Sequence, residues 1–309
     1  MDGDLGLVRS EAALDLSFEP HPAATTRADG SSLALWDNDG EGLPVLVCNG
    51  LGTSPYAWPG LLDPGAGIRA VGWDYRGVGA SEPPRDLRRI RIEDHMSDAL
   101  ATLDHYGIER AVLACWSIGV NVGFELASWH PERVAGVLAV AGVPGGTFGT
   151  MLAPLMVPRP LRHPIATTTL RAARAFGGPL TLLARAIPAN DATAWLLSHS
   201  GFMLPAAATS DVRRTMGTFL DHDFRWYFRL AQAAAEHPPL DLTSVVAPAT
   251  LLAGRWDLLT AWDEVVATAG RLPDAQVHVL PGSHFLPLEY PDRIVAEVHD
   301  LAVRAGLAS

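Results

Sequence analysis

The sequence predicts an α/β fold, with a mostly parallel central sheet flanked by helices and a helical insertion in its second half. Three observations carry that expectation. From about residue 33 to 144, short β-branched or apolar runs alternate with segments of helical period. The rhythm breaks between about 145 and 240. It resumes after Pro248.

Residues 33–36, 45–48, 68–73, 111–115 and 134–141 read as strands, and the last three are nearly continuous apolar runs, as strands covered on both faces should be. Ile92, Met96, Ala99, Leu100 and Leu103 recur at helical spacing, and Gly107 stands where a left-handed cap would end that helix. The 145–240 stretch opens with clustered prolines (Pro154, Pro158, Pro160, Pro164) and continues in helical patterns without an obvious strand. It holds Met151, Met156, Met203 and Met216, and six of the nine phenylalanines. Then come a strand at 250–253, a helix near 262–271, a strand at 276–280 and a closing helix from about Asp292. The economical division is a core formed by 1–144 and 241–309, with 145–240 as a helical lid.

Composition narrows the function. A net charge of −11 over 309 residues, without a Lys/Arg-rich run, disfavours nucleic-acid partners. Two cysteines, Cys48 and Cys115, exclude a disulfide scaffold, and each reads as small core filler. The acidic Met1-Asp2-Gly3-Asp4 start leads into no long apolar segment, so no secretory leader is expected. The longest apolar run, 134–143, falls far short of the ~20 residues that span a bilayer. These readings point to a soluble cytoplasmic protein without membrane attachment.

The chemistry starts at Ala114-Cys115-Trp116-Ser117-Ile118-Gly119. An apolar strand runs straight into a serine, and a helix pattern begins immediately after it. Such a turn lifts the hydroxyl above the sheet edge and aims helix N-terminal N–H groups at any charge forming beside it. Small residues are needed around it, and Gly119 and Gly123 supply them. A lone serine there is also a common helix N-cap. A hydroxyl needs a base, and the base needs an orienting group. In an open parallel sheet both are expected after later strands. Asp257 follows the strand at 250–253 and His284 follows the strand at 276–280, giving the chain order Ser, Asp, His.

With these residues in place, the sequence resembles the α/β-hydrolase superfamily, in its capped, serine esterase-like branch. Residues 74–81 (Asp-Tyr-Arg-Gly-Val-Gly-Ala-Ser) resemble the family's Asp-x-Arg-Gly-x-Gly-x-Ser loop. Residues 49–54 (Asn-Gly-Leu-Gly-Thr-Ser) resemble its His-Gly-x-x-x-Ser oxyanion loop. The resemblance implies Ser117, Asp257 and His284 as catalytic triad and the backbone N–H groups of Leu51 and Ile118 as oxyanion hole. It departs from the family at Cys115, where a glycine is usual, and at Asn49, where a histidine is usual; Asn49 keeps a side chain able to tie the loop together.

Rival assignments are weaker. His278 falls mid-strand and His299 on the last helix. Asp263 reads as a solvated first-turn residue. No acid follows the strand ending near Ala141. Arg76 is expected to brace its loop. His222, Trp116 and Phe285 are the expected substrate-facing residues. No cofactor is expected, and no His/Cys/Asp cluster at ligand spacing suggests a metal. The expected activity is cleavage of a small carboxylic ester with an apolar acyl or alcohol part, through an acyl-enzyme on Ser117. Lactone, thioester or C–C bond hydrolysis, perhydrolysis and acyl transfer draw on the same triad. Epoxide and haloalkane chemistry in related folds uses an aspartate nucleophile. A non-catalytic ligand-binding protein is the remaining class, and such proteins usually lose a triad member.

Overall fold

A computed structural model describes residues 21–151 and 157–307. Its centre is an eight-stranded sheet of β1 (His21–Thr26), β2 (Ser32–Asp37), β3 (Leu43–Cys48), β4 (Ile68–Trp73), β5 (Ala111–Trp116), β6 (Val134–Val140), β7 (Ala249–Gly254) and β8 (Ala275–Leu280). The spatial order is β1-β2-β4-β3-β5-β6-β7-β8. From β4 to β8 all pairings are parallel, whereas β1 and β2 run antiparallel at one edge. The mostly parallel α/β fold expected from the sequence is therefore observed. β1 went unread because His-Pro-Ala-Ala-Thr-Thr is small and polar. It lies half-exposed on the edge and needs no apolar run.

Strand alternation assigns side chains to two cores. On β5, Leu113 and Cys115 join Leu46, Leu103 and Phe124 on one face. On the opposite face Ala114 and Trp116 join Val45, Val47, Leu138, Val298 and Leu301. Helices α1 (Pro59–Leu62), α2 (Ile92–His105) and α3 (Gly119–Trp129) lie between the first strands. Ile92, Ala99 and Leu103 form the buried stripe of α2, and Gly107 at φ +64° ends it as the spacing predicted.

Between β6 and β7 the described residues form α4 (Arg159–Ala175), α5 (Gly177–Arg185), α6 (Asp191–Ser198), α7 (Thr209–Leu220) and α8 (Phe224–Ala235), and no strand. Pro154 and Met156 lie outside the described residues. The other methionines and aromatics pack both within the insertion and against the core: Met203 is buried with Ala194, Ala207, Val212 and the core's Leu288; Phe148, Met151 and Trp226 pack on the main core; and Phe219, Phe224, Tyr227 and Phe228 meet ring to ring. The chain then closes with α9 (Trp262–Ala269), α10 (Leu286–Glu289) and α11 (Pro291–Arg304). No helix among the described residues is long and apolar enough to cross a membrane.

Arg76 braces its loop. Its guanidinium grips Asp98 of α2 through both oxygens (2.6 and 2.7 Å) and donates to the carbonyls of Arg89 and Asp94. Burial pushes the Asp98 carboxyl up, but Arg76 and His95 more than offset this and hold it below its ordinary range. The same loop carries the insertion: the Trp226 indole N–H donates to the Arg76 carbonyl (2.8 Å). Gly77 leaves room for it, since a Cβ there would lie 2.3 Å from Trp226 Nε1.

Candidate active site

β5 ends in a turn whose backbone is strained. Ser117 sits at φ +55°, a left-handed conformation unusual for a residue with a Cβ, while its N–H donates to the Val140 carbonyl (2.9 Å). α3 starts two residues later and runs close under the end of β3. A Cβ at Gly119 would lie 1.9 Å from the Cys48 carbonyl oxygen, so only glycine lets the helix approach. Cys115 is accommodated from the same helix: a Cβ at Gly123 would lie 2.2 Å from the Cys115 Sγ. The bulk added at 115 is balanced by the missing side chain at 123. Burial, aided by Cys48, pushes the Cys115 thiol well above its ordinary pKa, which keeps it an inert filler beside the serine.

Asp257 and His284 follow β7 and β8, at the same sheet edge as Ser117. Both are buried, and His284 Nδ1 donates to Asp257 Oδ2 at 2.8 Å. The other carboxylate oxygen accepts the N–H groups of Leu259 (2.7 Å) and Thr260 (2.8 Å). Those bonds fix the carboxylate plane and hence the imidazole behind which it stands. Trp116 links this pair to the turn. Its indole N–H donates to the His284 carbonyl (2.8 Å), and its ring centroid lies 5.8 Å from the imidazole. Among the described residues no hydrogen bond joins the Ser117 hydroxyl to His284. Catalytic hydrogen bonds are commonly long without substrate.

One buttress escaped the sequence reading. Glu289, buried in α10, accepts from the Ser283 N–H (2.7 Å) and hydroxyl (2.6 Å), and from the Leu204 N–H (2.9 Å) of the insertion. It thereby clamps the residue before His284 and ties the insertion to the histidine loop. A Glu six residues after a Ser carries no sequence signal of its own. Glu289→Gln replaces one acceptor oxygen by a donor facing donors. It is expected to cost about 2–3 kcal/mol of folding stability. A urea midpoint equal to that of the parent protein would contradict this role.

The loop after β3 is held by the side chain that replaces histidine. Asn49 Nδ2 donates to the Thr53 carbonyl (3.2 Å), and its Oδ1 accepts from the Trp58 indole (2.7 Å). Tyr75 donates to the Asn49 carbonyl (2.8 Å), and Gly52 turns the chain at φ +73°. The N–H groups of Leu51 and Ile118 donate to no protein acceptor among the described residues. Two free donors thus stand on the two loops that flank the serine.

The expected substrate-facing residues are placed differently from one another. Trp116 is buried beneath the turn, edge-on to Trp58. Phe285 packs against Trp116, His284 and, from the insertion, Phe202 at 5.2 Å between centroids. His222 presses on the loop after β3, its Nε2 3.2 Å from where a Gly52 Cβ would lie. His222 Nδ1 meets the Thr218 carbonyl at 2.8 Å; a carbonyl only accepts, so Nδ1 carries the proton and Nε2 is a buried, unpartnered acceptor. Burial pulls its pKa below the ordinary imidazole value. It lines a cleft of about 370 Å³ between the insertion, the Asp74 loop and β1–β2, and neither Ser117 nor His284 borders that cleft.

The chain is similar to several known proteins. A segment of epoxide hydrolase B from Mycobacterium tuberculosis is 35% identical over 124 residues, covering 36% of this chain but only 34% of that enzyme's length. A putative carbamate hydrolase, RutD, from Variovorax paradoxus is 28% identical over 256 residues, or 79% of this chain and 85% of its own. The fold superposes on a thermophilic esterase from Thermogutta terrifontis with a TM-score of 0.66 at 21% identity, covering 93% of this chain and 99% of the other. Residues 44–291 match the family model of the alpha/beta hydrolase fold, and the chain belongs to that family of hydrolases.

Proposed function

We propose that the chain is a serine-dependent hydrolase of small carboxylic esters. The observations that support this reading are the serine held at φ +55° at the tip of β5, the buried imidazole–carboxylate pair in the loops after β7 and β8, and the unbonded amides of Leu51 and Ile118. In this mechanism His284 takes the Ser117 proton as the hydroxyl attacks the carbonyl carbon. Asp257 keeps the Nδ1–H tautomer and stabilises the imidazolium. The Leu51 and Ile118 amides receive the oxyanion, a contribution of about 2.7–4 kcal/mol for each donor. His284 then protonates the leaving alcohol, and water releases the acyl group by the same route. The 145–240 helices act as the lid, with Phe202 and Phe285 offering an apolar wall.

Serine separates this chemistry from that of the epoxide hydrolase relative. Opening an epoxide with a serine would leave an ether, which the same base and water cannot cleave. A carboxylate nucleophile leaves a hydrolysable ester. The acyl substrates, including lactones and carbamates, yield acyl-serine adducts that water can resolve. A fluorophosphonate probe tests the nucleophile directly. The parent protein is expected to label at one serine and Ser117→Ala to remain unlabelled. Equal labelling of both would reject the assignment, and a parent protein that stays unlabelled would favour a ligand-binding role.

A further inference from the structure

Away from the triad, three side chains from distant segments converge where the insertion returns to the core. Glu93 lies in the first turn of α2, Glu125 in the middle of α3, and His237 two residues beyond α8. One donor atom from each falls within 4.8 Å of the others. His237 Nε2 stands 3.3 Å from Glu125 Oε1, and its Nδ1 stands 3.8 Å from Glu93 Oε1. Glu125 and His237 are only 4% and 6% exposed. Yet Glu125 Oε2 and His237 Nε2 are buried with no hydrogen-bond partner. Unsatisfied polar atoms at such depth are costly unless something binds them.

We propose that Glu93, Glu125 and His237 bind a divalent transition-metal cation, zinc foremost. Zinc takes imidazole nitrogen at about 2.0–2.1 Å and carboxylate oxygen at about 2.0–2.2 Å, in a tetrahedral set of which water can supply one member. Tetrahedral donors at those lengths lie roughly 3.3–3.6 Å apart. The His237–Glu125 separation of 3.3 Å already meets that span. Glu93, with a side chain 55% exposed, can close the remaining gap by a rotamer change and leaves an entry path from solvent. An imidazole in the set favours zinc over calcium or magnesium, which prefer oxygen throughout.

The site's position gives it a consequence. The two segments that join insertion to core touch beside it: the Gly146 N–H points to the His237 carbonyl (3.4 Å), and a Cβ at Gly145 would lie 2.3 Å from the Pro238 oxygen. A cation held by His237 and by the core helices would pin the returning segment to α2 and α3. The inference rests on this geometry alone and is independent of the proposed ester chemistry.

Calorimetric titration of the metal-free 309-residue chain with Zn2+ tests it. One site per chain is expected, weakened at least tenfold in Glu125→Gln and His237→Gln. At a hundredfold excess over the parent Kd, zinc should raise the Tm of the parent protein by roughly 5 °C and that of both variants by about half as much or less. Glu93→Gln, at an exposed position where folding is not at risk, should also weaken binding tenfold. Zinc affinity unchanged in Glu93→Gln, no saturable zinc binding in the parent protein, or saturation by Ca2+ and not by Zn2+ would each overturn the proposal.

Discussion

If the proposed function holds, Ser117→Ala is expected to reduce kcat on a chromogenic short-chain ester by about 10⁶-fold, to little more than what binding and the proposed oxyanion donors supply. The hydroxyl is the one group in the turn that can form the acyl-enzyme. Cys115 points into the core, and burial keeps its thiol protonated. No neighbouring side chain can therefore take over. Folding should be unaffected, because alanine inherits the same left-handed backbone and, among the described residues, the hydroxyl holds no hydrogen bond that would be lost. Turnover within tenfold of the parent protein, with an unchanged Tm, would remove Ser117 from the mechanism.

The strain at this position makes a companion result informative. A residue with a Cβ at φ +55° costs about 1–2 kcal/mol, which glycine avoids. Ser117→Gly should therefore be inactive yet more stable than Ser117→Ala by about 1 kcal/mol. A stabilised, inactive protein is the signature of a turn whose conformation serves chemistry rather than folding.

What could be read from the sequence, and what could not, follows from the range over which each signal acts. Strands β4 to β7 announce themselves because covering both faces demands continuous apolar runs, such as 111–115 and 134–140. Ser117, Asp257 and His284 are legible as an order of loops after strands, and the structure brings the imidazole and the carboxylate to 2.8 Å. The Cys115 departure is intelligible only in three dimensions, since its compensation at Gly123 sits eight residues on, about one turn into a different element. Glu289 and the Glu93–Glu125–His237 group have no periodicity and no spacing. They exist only because α2, α3, α10 and the end of the insertion are packed together. The edge strand β1 is hidden for the opposite reason, that nothing apolar is asked of it.

Asp257→Asn should lower kcat by about 10⁴-fold while leaving the fold intact. The carboxylate accepts three hydrogen bonds, one from His284 and two from the Leu259 and Thr260 amides. An asparagine keeps one oxygen, and the two backbone donors are fixed by the turn after β7, so they claim it. Its NH2 group then faces His284 Nδ1 and can only donate. Nδ1 must become the acceptor, the ring proton moves to Nε2, and the atom that should take the Ser117 proton already carries one. Acylation stalls although every heavy atom remains in place. The loss should be confined to kcat, with KM nearly unchanged, because Asp257 touches no substrate. It should also ease at high pH, where hydroxide can serve as the base. Asp257→Asn turnover within tenfold of the parent protein at neutral pH would show that some other acid orients the imidazole.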